Sequence, residues 1–154
     1  MSIDDRLAQL GIGLPGGFAF PKANRIGCVQ AGNLLFASGH PPAGDLGSFP
    51  LGKVGRDLDE ATATSLARSA ALNILASVKA QLGSLDPVDR VVKVFGMVNS
   101  APGFNRQFAV IDGASDLFIE IWGPEKGRHA RSAVGMAELP RDFPIEVEAI
   151  FLLS

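Results

Sequence analysis

One stretch limits the choice of fold more than any other. From Leu66 to Gly83 the chain reads LARSAALNILASVKAQLG, with apolar side chains at Leu66, Ala67, Ala70, Ala71, Ile74, Leu75, Val78 and Leu82. That spacing follows the turn of an α-helix, and Gly83 supplies a stop. Asp57 or Asp59 stands where the helix needs an N-terminal cap. The many alanines give it a flat face, suited to close packing on a sheet. Strand-like segments lie on either side. RIGCVQ (25–30) and LLFASG (34–39) read as a hairpin around AGN, and DRVVKVFGMVN (89–99) is β-branched and apolar enough for a buried central strand. A weaker helical pattern runs over 104–122, interrupted at DGAS, and GPEKG (123–127) reads as a loop. The closing residues alternate like two strands around a turn at Pro140–Pro144.

The order is therefore strand, strand, helix, strand, helix, strand, strand. Two helices on one face of a single mixed sheet is the economical packing, an α+β domain spanning residues 1–154. Asp4 to Leu10 adds a short helix within an N-terminal extension, 1–21, and the Gly- and Pro-rich segment 40–55 forms an ordered loop or a lid. VVKVFGMV and AIFLL carry more apolar surface than one helical layer covers, so the second sheet face is expected to be buried against other subunits.

Composition narrows the function. Hydrophobic residues at 47% and charged ones at 19% give material for a packed core. Fourteen basic against sixteen acidic side chains leave a formal charge of −2, which argues against a nucleic-acid partner. The lone Cys28 cannot form an internal disulfide, and no apolar run approaches the ~18 residues of a membrane span. With no export signal in the opening residues, a cytoplasmic protein is expected. His40 and His129 are the only histidines and lack a third ligand at metal-binding spacing, so no metal is expected. GSFPLGKVG departs from the P-loop pattern, and ASGH around Ser38 is not a nucleophile elbow. Cys28 has no basic neighbour to activate it and reads as a packed thiol.

Two charges interrupt the closing strands. Arg131 sits among Ala130, Ser132, Ala133 and Gly135, all small. It either reaches into water like most isolated arginines, or its planar fork grips a carboxylate beside free backbone donors. Glu146 and Glu148 share one face of the last strand with Ile150 and Leu152. A carboxylate at that border is either a solvated strand end or a desolvated group suited to proton transfer. If the two strands form a hairpin, Arg131 and Glu146 stand roughly 23 Å apart at ~3.3 Å per residue, and only a neighbouring subunit could unite them.

At this point GNLLFASGHPP, GKVGRDL, the segment 67–100 and above all HARSAVGMAELPRDFPIEVEAI resemble the Rid family. These are the reactive intermediate deaminases, also called the YjgF or endoribonuclease L-PSP family. The resemblance runs from about residue 22 to the end of the sequence. It implies a chorismate-mutase-like α+β fold assembled as a homotrimer with clefts between subunits. It also implies that Arg131 binds a substrate carboxylate and that Glu146 positions or activates the attacking water. The implied reaction hydrolyses a 2-imino acid, such as 2-iminobutanoate or 2-iminopropanoate, to a 2-keto acid and ammonia without metal or organic cofactor. Ser38, Cys28, Ser132 and Ala133 fall in the same motifs as candidate substrate-binding residues. Cys28 stands where these deaminases commonly have tyrosine, and Ala133 where many have cysteine. A non-catalytic trimer binding small carboxylates or partner proteins is the alternative. A ribonuclease or translation initiation inhibitor, as in the older family name, is the third.

Overall fold

The computed structural model describes all 154 residues. In chain order the elements are α1 (Ile3–Gln9), β1 (Cys28–Ala31), β2 (Leu34–His40), α2 (Glu60–Leu82), β3 (Val88–Asn99), α3 (Gln107–Gly127), β4 (Ala130–Met136) and β5 (Ile145–Leu153). Asp59 is the residue that caps α2, its carboxylate accepting the Thr62 N–H at 2.8 Å. Asp57 instead pairs with Arg56 at 2.8 Å. Gly83 closes α2 in the left-handed region, at φ 81°.

The segment DGAS does not interrupt α3. Gly113, Ala114 and Ser115 are buried within continuous helix, because this small-residue stretch is where α3 meets α2. A methyl at Gly113 would strike the backbone carbonyl of Thr64 on α2. The break comes later, at Gly123, and GPEKG forms a short helical turn beyond that kink rather than a loop.

The five strands form one mixed sheet in the order β1-β2-β5-β3-β4. The expected hairpin of the two closing strands is absent. The α3 crossover returns the chain to the start of β3, so β4 runs parallel along its outer edge, Val94 opposite Arg131. Residues 137–144 then carry the chain past β3, and β5 inserts antiparallel between β2 and β3. The apolar β5 thus gains two strand partners, where a hairpin would have left it with one exposed edge.

Helices α2 and α3 cover one face, burying Leu35, Val94, Val98, Ile145, Val147 and Phe151. The short α1 packs against α3, where the Arg6 guanidinium donates to the Glu120 carbonyl at 2.9 Å. The opposite face carries no helix. Phe95, Met97, Ile150 and Leu152 are half-buried there, and Val29 and Phe36 are 53% and 41% exposed. Segment 40–55 is anchored at its far end. Gly52 N–H donates to the Asp142 carbonyl and Val54 N–H to that of Asn99, both at 2.8 Å, while Lys53 Nζ reaches Asn99 Oδ1 at 2.8 Å. No helix is long and apolar enough to cross a membrane.

Candidate active site

Register decides where the two expected site residues stand. Glu146 lies opposite Met97 on β3, and Arg131 lies opposite Val94 from the other side. Three residues separate those positions along β3, so the two side chains emerge from opposite sheet faces. Two strand spacings of ~4.8 Å and three rises of ~3.3 Å place their backbones roughly 14 Å apart. Within one chain the structure does not bring them together.

Glu146 projects from the helix-free face, sharing it with Glu148, which lies opposite Phe95. Its carboxylate rests against Gly39, where any side chain would occupy its position. That glycine sits in a register irregularity of β2 between Ala37 and His40. His40, fully buried, pins this irregularity: Nδ1 lies 2.6 Å from the Ser38 carbonyl and Nε2 lies 2.7 Å from Ser77 Oγ on α2. A neutral ring that donates through Nδ1 and accepts the Ser77 hydroxyl satisfies both contacts, and burial pushes the ring toward that neutral form. Burial also raises the Glu146 carboxyl above its ordinary value, and the neighbouring Glu148 charge adds to the effect. A carboxylate tuned upward in this way is a better proton acceptor.

Glu146 opens on a cavity of 680 Å³. Gly39, Pro41 and Asn73 line it from the scaffold, Phe18 and Phe20 from the N-terminal extension, and Arg141 and Phe143 from the turn before β5. Asn73 is 2% exposed and donates from Nδ2 to the Pro41 carbonyl at 3.1 Å. Arg141 and Asp142 take left-handed backbone angles, φ 54° and 57°, which cost an L-residue about 1–2 kcal/mol each. The Gly52–Asp142 bond and a 3.0 Å bond from Phe143 N–H to the Pro140 carbonyl hold them there. Nothing in residue type marked Arg141, Asn73 or Gly39 in advance. The signal for Gly39 was its place next to Ser38 and His40 in ASGH.

Arg131 is held rather than free. Its Nη1 donates to Asp112 Oδ1 at 2.8 Å and to Ser115 Oγ at 3.1 Å, and Nη2 donates to the Phe108 carbonyl at 3.1 Å. Ser115 in turn contacts His129 Nε2 at 3.0 Å. Of the five guanidinium donors, those contacts leave Nε–H and one Nη2–H without a protein partner. The side chain is 23% exposed on edge strand β4. Ala133 shares its face, and Ser132 points to the other. Ser38 lies beside Gly39, its hydroxyl donating to the Ile26 carbonyl at 2.6 Å. Cys28 is placed in the core at 2% exposure and lines no part of the Glu146 cavity. Burial pushes its thiol up to about 11, which leaves it protonated and unreactive at neutral pH. No cluster of three His, Cys, Asp or Glu side chains is gathered for a metal ion.

Comparison with known proteins places this geometry in context. Residues 23–152 match the model of the family described as endoribonuclease L-PSP. The chain is 43% identical over 148 residues to Protein TCP17 of Trypanosoma cruzi, spanning 96% of this chain and 92% of that protein. Its fold superposes on the crystal structure of Atu1372, a protein of unknown function from Agrobacterium tumefaciens. The TM-score is 0.88 at 44% identity, over 99% of this chain and 92% of that one. It also resembles E. coli TdcF, solved with bound serine, with a TM-score of 0.59 and 26% identity over 92% of this chain and 94% of that one.

Proposed function

The chain belongs to the endoribonuclease L-PSP family, the YjgF family, and on that premise we propose that it is a trimeric imine deaminase. Its reaction would convert a 2-imino acid and water to a 2-keto acid and ammonia. The observation that carries this reading is the Glu146 carboxyl, raised by burial and seated over Gly39 at the wall of a cavity of 680 Å³. Glu146 takes a proton from water as the water oxygen bonds to the imine carbon, and the C=N electron pair moves onto nitrogen. The same carboxyl returns that proton to nitrogen, giving a carbinolamine. Glu146 then takes the hydroxyl proton and delivers it to the amino nitrogen, so that ammonia leaves as the carbonyl forms. The electrophile is the imine itself, so the protein must position, accept and return protons.

The substrate carboxylate falls to Arg131, through the two donors its own chain leaves unpaired. Because Arg131 and Glu146 occupy opposite faces of one sheet, a complete site needs Arg131 from a neighbouring subunit. The helix-free face, with Val29 and Phe36 exposed, supports that assembly. The serine bound by TdcF is a small carboxylate with nitrogen on the adjacent carbon, the same chemical shape as an imino acid.

The test is ammonia release from imino acids generated in situ by an amino-acid oxidase. Wild type should accelerate it, and Arg131→Lys should not restore what Arg131→Ala loses. Lysine keeps the charge without the planar fork, at a cost of about 1.5–3 kcal/mol, on the order of ten- to a hundredfold in 2-keto acid affinity by calorimetry. Binding without any ammonia release would instead make the protein a carboxylate-binding module. Light scattering at micromolar concentration should give three times the chain mass. A monomer there removes the shared site.

A further inference from the structure

We propose that Arg141 is a specificity-determining residue that binds a second anionic group, so that the imine this protein handles derives from a dicarboxylic rather than a simple amino acid. The inference rests on the deaminase reading above and names its substrate class.

Its starting point is a guanidinium left unpaired at the wall of the Glu146 cavity, although the lining holds two arginines and two carboxylates, Asp45 and Glu146. Two guanidinium groups, Arg25 and Arg141, line that cavity. Seven ion pairs engage Lys53, Arg56, Arg68, Lys79, Arg106, Lys126 and Arg131, and neither cavity arginine is among them. Asp45 lines the same cavity without pairing to either. Arg25 is occupied in part, donating to Asn24 Oδ1 at 3.0 Å and lying over the Phe20 ring at 5.7 Å. Arg141 makes no side-chain hydrogen bond at all within the chain. A cationic fork at the wall of a cavity, without an acid of its own, fits an anion brought by a ligand.

The backbone beneath Arg141 is consistent with that role. A large side chain at φ 54° is uncommon, since glycine or asparagine usually fills such a position. Strain of this kind is retained where the surroundings hold it, and it clusters at ligand sites. Here the Gly52 and Phe143 hydrogen bonds hold the turn, so the side chain leaves from a fixed base rather than from a loose loop.

The cavity has room for a second anionic group, with 680 Å³ in the single chain before a neighbouring subunit takes its share. Asn73, 2% exposed, supplies a further polar group at the wall, its Oδ1 without a hydrogen bond in the chain. A substrate whose first carboxylate meets a neighbour's Arg131 and whose imine meets Glu146 occupies the cavity that Arg141 lines. A monoanion leaves that exposed guanidinium in water, and a dianion offers it a second carboxylate.

Calorimetry with two keto acids of equal chain length, 2-oxopentanoate and 2-oxoglutarate, separates the cases. Wild type should bind the dicarboxylate ~10-fold more tightly or better, the size of effect expected of one charge-assisted hydrogen bond. In Arg141→Gln the ratio of the two affinities should fall to about one, and Arg141→Lys should recover part of it. Arg141→Gly gives a second variant that removes the guanidinium while relieving the left-handed backbone, so a folding defect cannot mimic the result. Equal affinity of wild type for both acids overturns the proposal, as does a ratio unchanged in Arg141→Gln. The ammonia assay keeps the two readings apart. Arg141-dependent discrimination without ammonia release sinks the deaminase alone, whereas ammonia release without discrimination sinks the second-anion site alone.

Discussion

Glu146→Gln should lower ammonia release by about 10²–10⁴-fold, the usual contribution of a positioned general base, while 2-keto acid binding survives. Glutamine has nearly the shape of glutamate, so the close contact over Gly39 is kept and the variant should fold as wild type does. What it lacks is the ability to accept and return a proton. The pH profile makes the assignment specific. Burial and Glu148 raise the Glu146 carboxyl above its ordinary value, so its protonated form persists to higher pH than in an exposed glutamate. Wild-type rate should therefore fall as pH drops through that raised value, because the base is being protonated. The acid limb should be missing from the residual activity of Glu146→Gln. A limb that survives the substitution belongs to another group and removes Glu146 from proton transfer.

The second large effect concerns the fold. Gly113→Ala should destabilise the protein by about 1–3 kcal/mol, the usual cost of forcing extra atoms into a packed site. Two influences oppose each other there. Alanine is favoured over glycine inside a helix by ~1 kcal/mol, so propensity alone predicts a gain. Contact predicts a loss, because the new methyl would meet the Thr64 carbonyl, which belongs to the backbone of α2 and cannot rotate away. Packing should win, since relief requires the two helices to part along a buried seam. At this chain length each kcal/mol moves the melting temperature by about 2–4 °C, well within the reach of calorimetry. A rise in melting temperature would mean that α2 and α3 are not in close contact at Gly113.

What the sequence disclosed, and what it hid, follows from the range of each interaction. The α2 stripe was legible because helical periodicity is local, and the buried residues Ala67, Ala70, Ala71, Ile74, Leu75 and Val78 match it. That Glu146 and Glu148 share a face was legible for the same reason. Which face it was, and that Arg131 would take the other, depends on pairing with β3, about fifty residues before β5 in sequence. Adjacent strands joined by a short turn invite a hairpin reading. Only the parallel return of β4 through α3 shows that β3 stands between them. Asn73 was hidden inside the apolar stripe of α2, a polar residue in a helix whose burial says nothing of its partner. Arg141 was hidden differently. Positive φ is announced by glycine or asparagine, and an arginine gives no such sign.

The place of β5 has a consequence for how the molecule comes to be. It is the last strand in sequence and the middle strand in space, flanked by β2 and β3. A chain emerging from the ribosome makes the β1–β2 hairpin, α2, and the β3–α3–β4 unit first, as two pieces that the α2–α3 seam can join but no strand pairing does. Each keeps an open strand edge, the template on which chains aggregate. Residues 145–153 close both edges at once. The sheet is therefore assembled late and over long sequence separations, which makes folding slow for a chain of this length and leaves it dependent on protection until its final strand arrives.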